Sequence, residues 1–273
     1  MNKIDAKKRF GQNFLKDSAI VNKIIQSMPL TKNIVVEIGP GLGDLTKKLL
    51  KKRDVIAFEI DKDLCSILKK EFKKEIEEKR LILKCGDVIE YWNGSLVDRP
   101  YDLVANLPYY VATNIVLKAL KDQNCKNILV MLQKEVANKF AANTNDKEFL
   151  ALAVLAKSCG SVKKLFDVSA NAFDPPPKVT SSLLLIKKSS NMEDKGFEDF
   201  LKVAFLAPRK TLLKNLSKSY NKDRLKETFY QLNLPPNIRP HQATTSIYHQ
   251  LYNILEKRKV DGKESKLSTK EQK

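Results

Sequence analysis

The chain has 273 residues, 42% of them hydrophobic, enough for one full α/β domain with a smaller appendage. Its formal net charge of +18 favours a polyanionic partner, though 42 of the 50 basic residues are lysine and the surplus is spread, +11 in residues 1–188 and +7 in 189–273. Four cysteines without Cys-x-x-Cys spacing, with the two histidines distant from them, argue against zinc ligation and a disulfide framework, so reduced thiols are expected. The first residues carry no apolar signal core and no apolar run approaches a membrane span, which leads to the expectation of a soluble, cytoplasmic protein.

In chain order, residues 34–38 read as a short buried strand, followed by a glycine turn and a helix through Lys52. A second strand at 55–60 precedes a charged helix from Asp61 to about Lys79, and strand signals return at 81–85. Residues 101–105 and 127–132 read as further strands, with a helix at about 112–122 between them. This alternation predicts a parallel sheet covered on both faces. Residues 162–168 and 179–187 then read as two strands joined by a loop, an antiparallel pair closing the sheet edge. Polar residues around 188–196 mark a boundary, and only helical patterns follow: 197–206, 209–219, 222–233 and 243–257. The expected division is thus 1–190 for the α/β domain, 191–257 for a helical domain and 258–273 for a disordered basic tail.

The chemistry concentrates at the carboxyl ends of the predicted strands, where open parallel sheets bind ligands. Glu37-Ile38-Gly39-Pro40-Gly41-Leu42-Gly43 follows the first of them and opens a helix. Its Gly-x-Gly-x-Gly spacing fits a pyrophosphate cradle less well than Gly-x-Gly-x-x-Gly would. Glu59 ends the second strand, where a carboxylate can accept hydrogen bonds from both hydroxyls of a ribose. Asp87, after the third, can accept from an adenine amino group. Asn106-Leu107-Pro108-Tyr109 ends the fourth and is the most informative stretch. The Asn106 oxygen and the Leu107 carbonyl can accept from the exocyclic amine of a base, Pro108 removes a competing donor, and Tyr109 offers a stacking face. Turn chemistry and helix capping are the plain alternatives for these residues. This series of strand ends resembles that of class I methyltransferases that use S-adenosylmethionine.

The resemblance narrows with Arg9-Phe10-Gly11-Gln12-Asn13-Phe14-Leu15, with Phe173-Asp174-Pro175-Pro176-Pro177-Lys178-Val179 and Ser181, and with Arg209-Lys210-Thr211-Leu212. These stretches look like signatures of the ribosomal RNA adenine N6,N6-dimethyltransferases, bacterial small-subunit branch, over residues 7 to 256. The resemblance implies a Rossmann-like, mostly parallel sheet with a small helical domain, and S-adenosylmethionine as methyl donor. The implied substrate is a pair of adjacent adenines near the 3′ end of 16S rRNA in the assembling small subunit. Carried over, it assigns Asn13, Leu15, Gly39, Gly41, Glu59, Asp87 and Asn106 to the cofactor, and Asn106 to Tyr109 to catalysis. Tyr109 and Phe173 are expected to sandwich the target base, with a core anchor as the alternative for Phe173. Lys7, Lys8, Arg9, Arg209, Lys210 and Lys214 are expected on rRNA phosphates, against the alternative of solvated faces. No metal is required, and a monomer is expected.

Two positions depart from the branch pattern. Tyr110 stands where asparagine is usual, which alters the far wall expected for the base pocket, and Pro208 replaces a basic residue before Arg209. Three rival readings are a large-subunit adenine dimethyltransferase of the antibiotic-resistance type, an NAD-dependent oxidoreductase and a non-catalytic RNA-binding assembly factor. The oxidoreductase leaves Asn106 to Tyr109 unexplained.

Overall fold

Short aliphatic runs flanked by turn residues become the strands of the computed structural model, which describes residues 12–192 and 195–256. After β1 (Phe14–Leu15) and α1 (Ser18–Gln26) come β2 (Ile34–Ile38), α2 (Asp44–Leu49) and β3 (Val55–Glu59). Next are α3 (Lys62–Glu71), α4 (Lys73–Glu77), β4 (Leu81–Cys85), α5 (Val88–Tyr91), β5 (Tyr101–Asn106) and α6 (Tyr109–Lys121). β6 (Cys125–Gln133), α7 (Lys134–Ala141) and α8 (Ala151–Cys159) lead to β7 (Gly160–Val168), β8 (Phe173–Asp174) and β9 (Ser181–Lys188). The last helices are α9 (Lys195–Ala204), α10 (Leu212–Leu216), α11 (Lys222–Gln231) and α12 (Thr245–Glu256).

The main sheet has the order β4-β3-β2-β5-β6-β9-β7. Its first five strands are mutually parallel, and β9 and β7 add antiparallel to them, as the sequence predicted for that pair. β9 slots beside β6 and leaves β7 outermost, which explains their side chains: Ser181 to Ile186 are all buried, whereas β7 is mostly exposed or half-buried. The chain order reverses between β2 and β5, so their carboxyl ends flank a crevice. A second sheet pairs β1 with β8 and ties the start of the described chain to the proline loop.

The single charged helix expected over 61–79 is two helices. Phe72, 3% exposed, turns inward and ends α3. A Cβ on Gly43 would lie 2.5 Å from its ring, so the aromatic fills the space under the glycine loop.

Two buried carboxylates brace the opposite end of the sheet. Asp102 accepts from Arg53, Thr31, Asn33 and Asn127. Asp122 accepts from Trp92 Nε1 (3.0 Å), Leu96 N (2.8 Å), Tyr101 Oη (2.8 Å), Ser95 Oγ (2.6 Å) and Asn124 N (2.9 Å).

One expectation fails outright: Cys65 and Cys85 form a disulfide, with Cα atoms 6.2 Å apart. Glu59 at the end of β3 pairs with Cys85, and α3 starts three residues later, which sets Cys65 over the end of β4. That proximity comes from the βαβ crossover and leaves no spacing signature. Cys125 and Cys159 are buried and form no disulfide.

The described residues divide into two compact units. One takes those within Met1–Ala141 and Cys159–Met192, the other those within Ala142–Ser158 and Glu193–Lys273. The stretch 142–158, which the sequence reading placed in the α/β domain, therefore groups with the helical unit. That unit is held by Phe197 stacked on His249 (4.5 Å between ring centroids), by Ser158 Oγ against His249 Nε2 (2.8 Å), and by Asn145 N donating to His241 O (2.8 Å). Among the described residues no helix is long and apolar enough to cross a membrane. The tail expected from 258 onward, and Lys7, Lys8 and Arg9, lie outside the described residues.

Candidate active site

The carboxyl ends of β2, β3, β4 and β5 open on one cleft of about 1140 Å³, continuous with solvent. Asn13, Leu15, Gly39, Gly41, Glu59, Asp87 and all of Asn106 to Tyr109 line it together. Residues scattered over nearly a hundred positions meet there because each ends a strand or leads into one.

The glycine loop is shaped by its backbone. Gly41 (φ 61°) and Gly43 (φ 88°) occupy the left-handed region that side chains disfavour. A Cβ on Gly41 would also meet the Phe14 ring at 3.0 Å. With no side chain in the way, the Gly41 N–H donates to Glu59 Oε2 at 3.1 Å, and Asp61 N donates to Oε1 at 2.9 Å. Glu59 is thus fixed by two backbone donors, one per oxygen, and each oxygen keeps a lone pair for a ligand. Burial lifts its pKa above the ordinary carboxylate range, against the pull of the Asp61 and Gly41 N–H groups.

Behind it lies Glu37, 1% exposed, which the sequence reading did not assign to the site. Thr46 Oγ1 donates to its Oε2 at 2.7 Å. Burial pushes its pKa up to about 8; the Thr46 bond opposes this and the nearby Glu59 charge adds to it. The available signal was an acidic residue inside an otherwise aliphatic strand.

Asp87 has two roles. Its Oδ1 accepts from Ile89 N at 2.8 Å and caps α5, so the capping alternative holds, and the residue lines the cleft as well.

Asn106 is anchored by its amide nitrogen, which donates to the Asn13 carbonyl at 3.2 Å. That bond leaves the amide oxygen as the group to offer a ligand. The Leu107 N–H donates to Met131 O at 3.1 Å and its side chain is buried, so its usable group is the carbonyl. Pro108 sits at the N-cap of α6 with φ −58°. The Tyr109 hydroxyl meets Ser181 Oγ at 2.6 Å, which holds the ring in place; burial raises the phenol pKa and the Ser181 bond lowers it.

Phe173 does not belong to this cleft. It is 4% exposed, pairs with Leu15 between β8 and β1, and packs in the core with Leu15 and Val168. Its burial fits the alternative reading of the sequence, an anchor for the proline loop, and of the two aromatics only Tyr109 lines the cleft. Arg209, Lys210 and Lys214 are exposed in the helical unit, around the turn into α10. Among the described residues no cluster of three or more acidic, His or Cys side chains could hold a metal ion.

The donor set suits S-adenosylmethionine. Glu59, a buried carboxylate, has no ion pair with a basic side chain among the described residues, and a sulfonium with an α-amino group offsets such charge. Glu59 suits ribose hydroxyls, Asp87 suits an adenine amine, and the side-chain-free loop admits close approach.

A family model described as ribosomal RNA adenine dimethylase matches residues 3–257. The chain is 55% identical to "Ribosomal RNA small subunit methyltransferase A" of Sulfurimonas denitrificans over 262 residues, covering 96% of this chain and 97% of that one. It is 47% identical to the protein of that name from Helicobacter hepaticus, covering 100% and 99%. Among solved structures, a dimethyladenosine transferase from Plasmodium falciparum matches with a TM-score of 0.73 at 25% identity, over 87% of this chain and 95% of that one. The 23S rRNA methyltransferase ErmE shares the fold, with a TM-score of 0.69 at 20% identity over 89% and 99%. On the match across nearly its whole length, the chain belongs to the ribosomal RNA adenine dimethylase family.

Proposed function

We propose that the protein dimethylates the N6 amino groups of two adjacent adenines near the 3′ end of 16S rRNA, in the assembling small subunit, as a cytoplasmic monomer. The small-subunit names of relatives about half identical over nearly the full chain support that choice of RNA. The observation that carries the chemistry is the Asn106 amide, whose nitrogen is tied to Asn13 so that its oxygen is left for an amine.

S-adenosylmethionine supplies an electrophilic methyl group, so no metal or covalent enzyme intermediate is needed. The protein's task is orientation, since the N6 lone pair of adenine is delocalised into the ring. The Asn106 Oδ1 and the Leu107 carbonyl accept the amine hydrogens and turn the lone pair out of the ring plane. Tyr109, braced by Ser181, stacks on one face of an adenine that has left its helix. No strong general base flanks Asn106 in the motif, so the proton leaves after methyl transfer. Arg209, Lys210 and Lys214 hold rRNA phosphates, and Lys7, Lys8 and Arg9 do the same from the N-terminal stretch.

The test is to incubate undermethylated small subunits and naked rRNA with labelled S-adenosylmethionine and map reverse-transcription stops. Stops at two neighbouring adenines near the 3′ end of 16S rRNA are expected, because two methyl groups block Watson–Crick pairing. Label found only in 23S rRNA, or none at all, refutes the proposal.

A further inference from the structure

Tyr109 and Tyr110 are neighbours in the first turn of α6, where successive side chains diverge by about 100°. The two rings consequently serve different parts of the cleft. The Tyr109 hydroxyl is fixed to Ser181 on β9, which lies past β6, towards the antiparallel edge of the sheet. Tyr110 lines the same cleft, whose opposite wall is formed by Glu59 at the end of β3 and Asp87 beyond β4. The electrostatics agree with that direction: besides partial burial, the groups that raise the Tyr110 phenol pKa are the Asp87 and Glu59 carboxylates. Tyr110 is nevertheless 61% exposed, so its ring stands at the rim and is not packed into the core. An exposed aromatic face, set over a wall that also presents the apolar Ile60 and Val88, suits a flat heteroaromatic ring with hydroxyl and amine groups below it.

We propose that Tyr110 is a cofactor-binding residue: its ring covers the adenosine half of S-adenosylmethionine from the side of α6, and it does not form a wall of the target-base pocket. The inference rests on the reading of Glu59 and Asp87 as nucleoside contacts. It changes what the departure at position 110 means, since the substitution then tunes affinity for the methyl donor and leaves RNA recognition alone.

The full-length wild type, Tyr110→Phe and Tyr110→Ala are compared by calorimetric titration with S-adenosylhomocysteine and with methylthioadenosine, which lacks the amino-acid half. Tyr110→Ala is expected to weaken both ligands by a similar factor, about tenfold for one lost stacking face. Tyr110→Phe keeps the face and should stay near wild type. The KM for S-adenosylmethionine should rise in Tyr110→Ala while the KM for rRNA stays unchanged. Exposure at the rim makes a folding defect unexpected, and a melting temperature equal to wild type checks that. Unaltered affinity of Tyr110→Ala for both nucleosides overturns the inference and leaves the cofactor site standing. A loss confined to the KM for rRNA overturns it in favour of a base-facing role. Failure of the wild type to bind either nucleoside removes the cofactor reading itself.

Discussion

Glu37→Gln tests the electrostatics of the cleft most directly. Glu37 is buried under the glycine loop with a pKa of about 8, set first by burial, against 4.5 for an exposed glutamate. A raised folded-state pKa means that the native protein keeps a proton that the unfolded chain releases. The carboxyl's contribution to stability is therefore complete below pH 4.5 and is lost as pH climbs towards 8. The slope is roughly 1.4 kcal/mol per pH unit within that window, which gives about 3 kcal/mol between pH 5 and 7.5. Glutamine can still accept the Thr46 hydroxyl through its carbonyl and has no proton to lose. In a protein of this size such a difference corresponds to a melting-temperature gap on the order of 10 °C. Thermal melts of both proteins from pH 5 to 8.5, without cofactor, should show nearly equal stability at pH 5 and a gap in favour of Glu37→Gln that widens with pH. The other titrating groups are common to the pair and cancel, Glu59 included while Glu37 is protonated and as neutral as glutamine. Parallel pH profiles would refute the assignment of a buried, protonated Glu37.

Three further outcomes are expected. Asn106→Ala should lower turnover by about a hundredfold, the scale of a lost orienting contact, with a much smaller change in affinity for S-adenosylhomocysteine; comparable losses in both would assign Asn106 to cofactor binding alone. Asp122→Ala strips the acceptor from Trp92, Leu96 and Tyr101, and should destabilise the protein by about 3–5 kcal/mol in denaturant titrations. A loss below 1 kcal/mol would show that water replaces the carboxylate at about the strength of ordinary hydrogen bonds. The combined Arg209→Ala, Lys210→Ala, Lys214→Ala variant should flatten the salt dependence of rRNA affinity by about two units of log–log slope, and an unchanged slope would leave those side chains as solvated surface.

The sequence made the sheet legible because buried parallel strands are short aliphatic runs, and 34–38, 81–85 and 101–105 were found almost to the residue. It also identified most of the cleft, since glycine, acid and amide at successive strand ends form a pattern that composition alone does not produce. What it missed depends on distance through space. Short elements such as β1 and α5 have no periodicity to read, and the two-helix break at Phe72 depends on the ring finding room beneath Gly43. Phe173 has the same local sequence whether it faces a ligand or the core; only its pairing with Leu15 decides. The role of Glu37 depends on burial by a helix that follows the loop. The Cys65–Cys85 bridge depends on a crossover that juxtaposes residues 20 positions apart.

The membership of 142–158 in the helical unit has a consequence for how the protein is made. Helix α8 leaves the ribosome well before the segment that supplies His249, the partner of Ser158. During synthesis Ser158 must wait for that partner, which follows 91 positions later. A stop codon after Met192 would therefore not release a tidy half-protein. It would leave α8 without the segment that carries His249, so this part of the helical unit is completed only when the C-terminal helices are made.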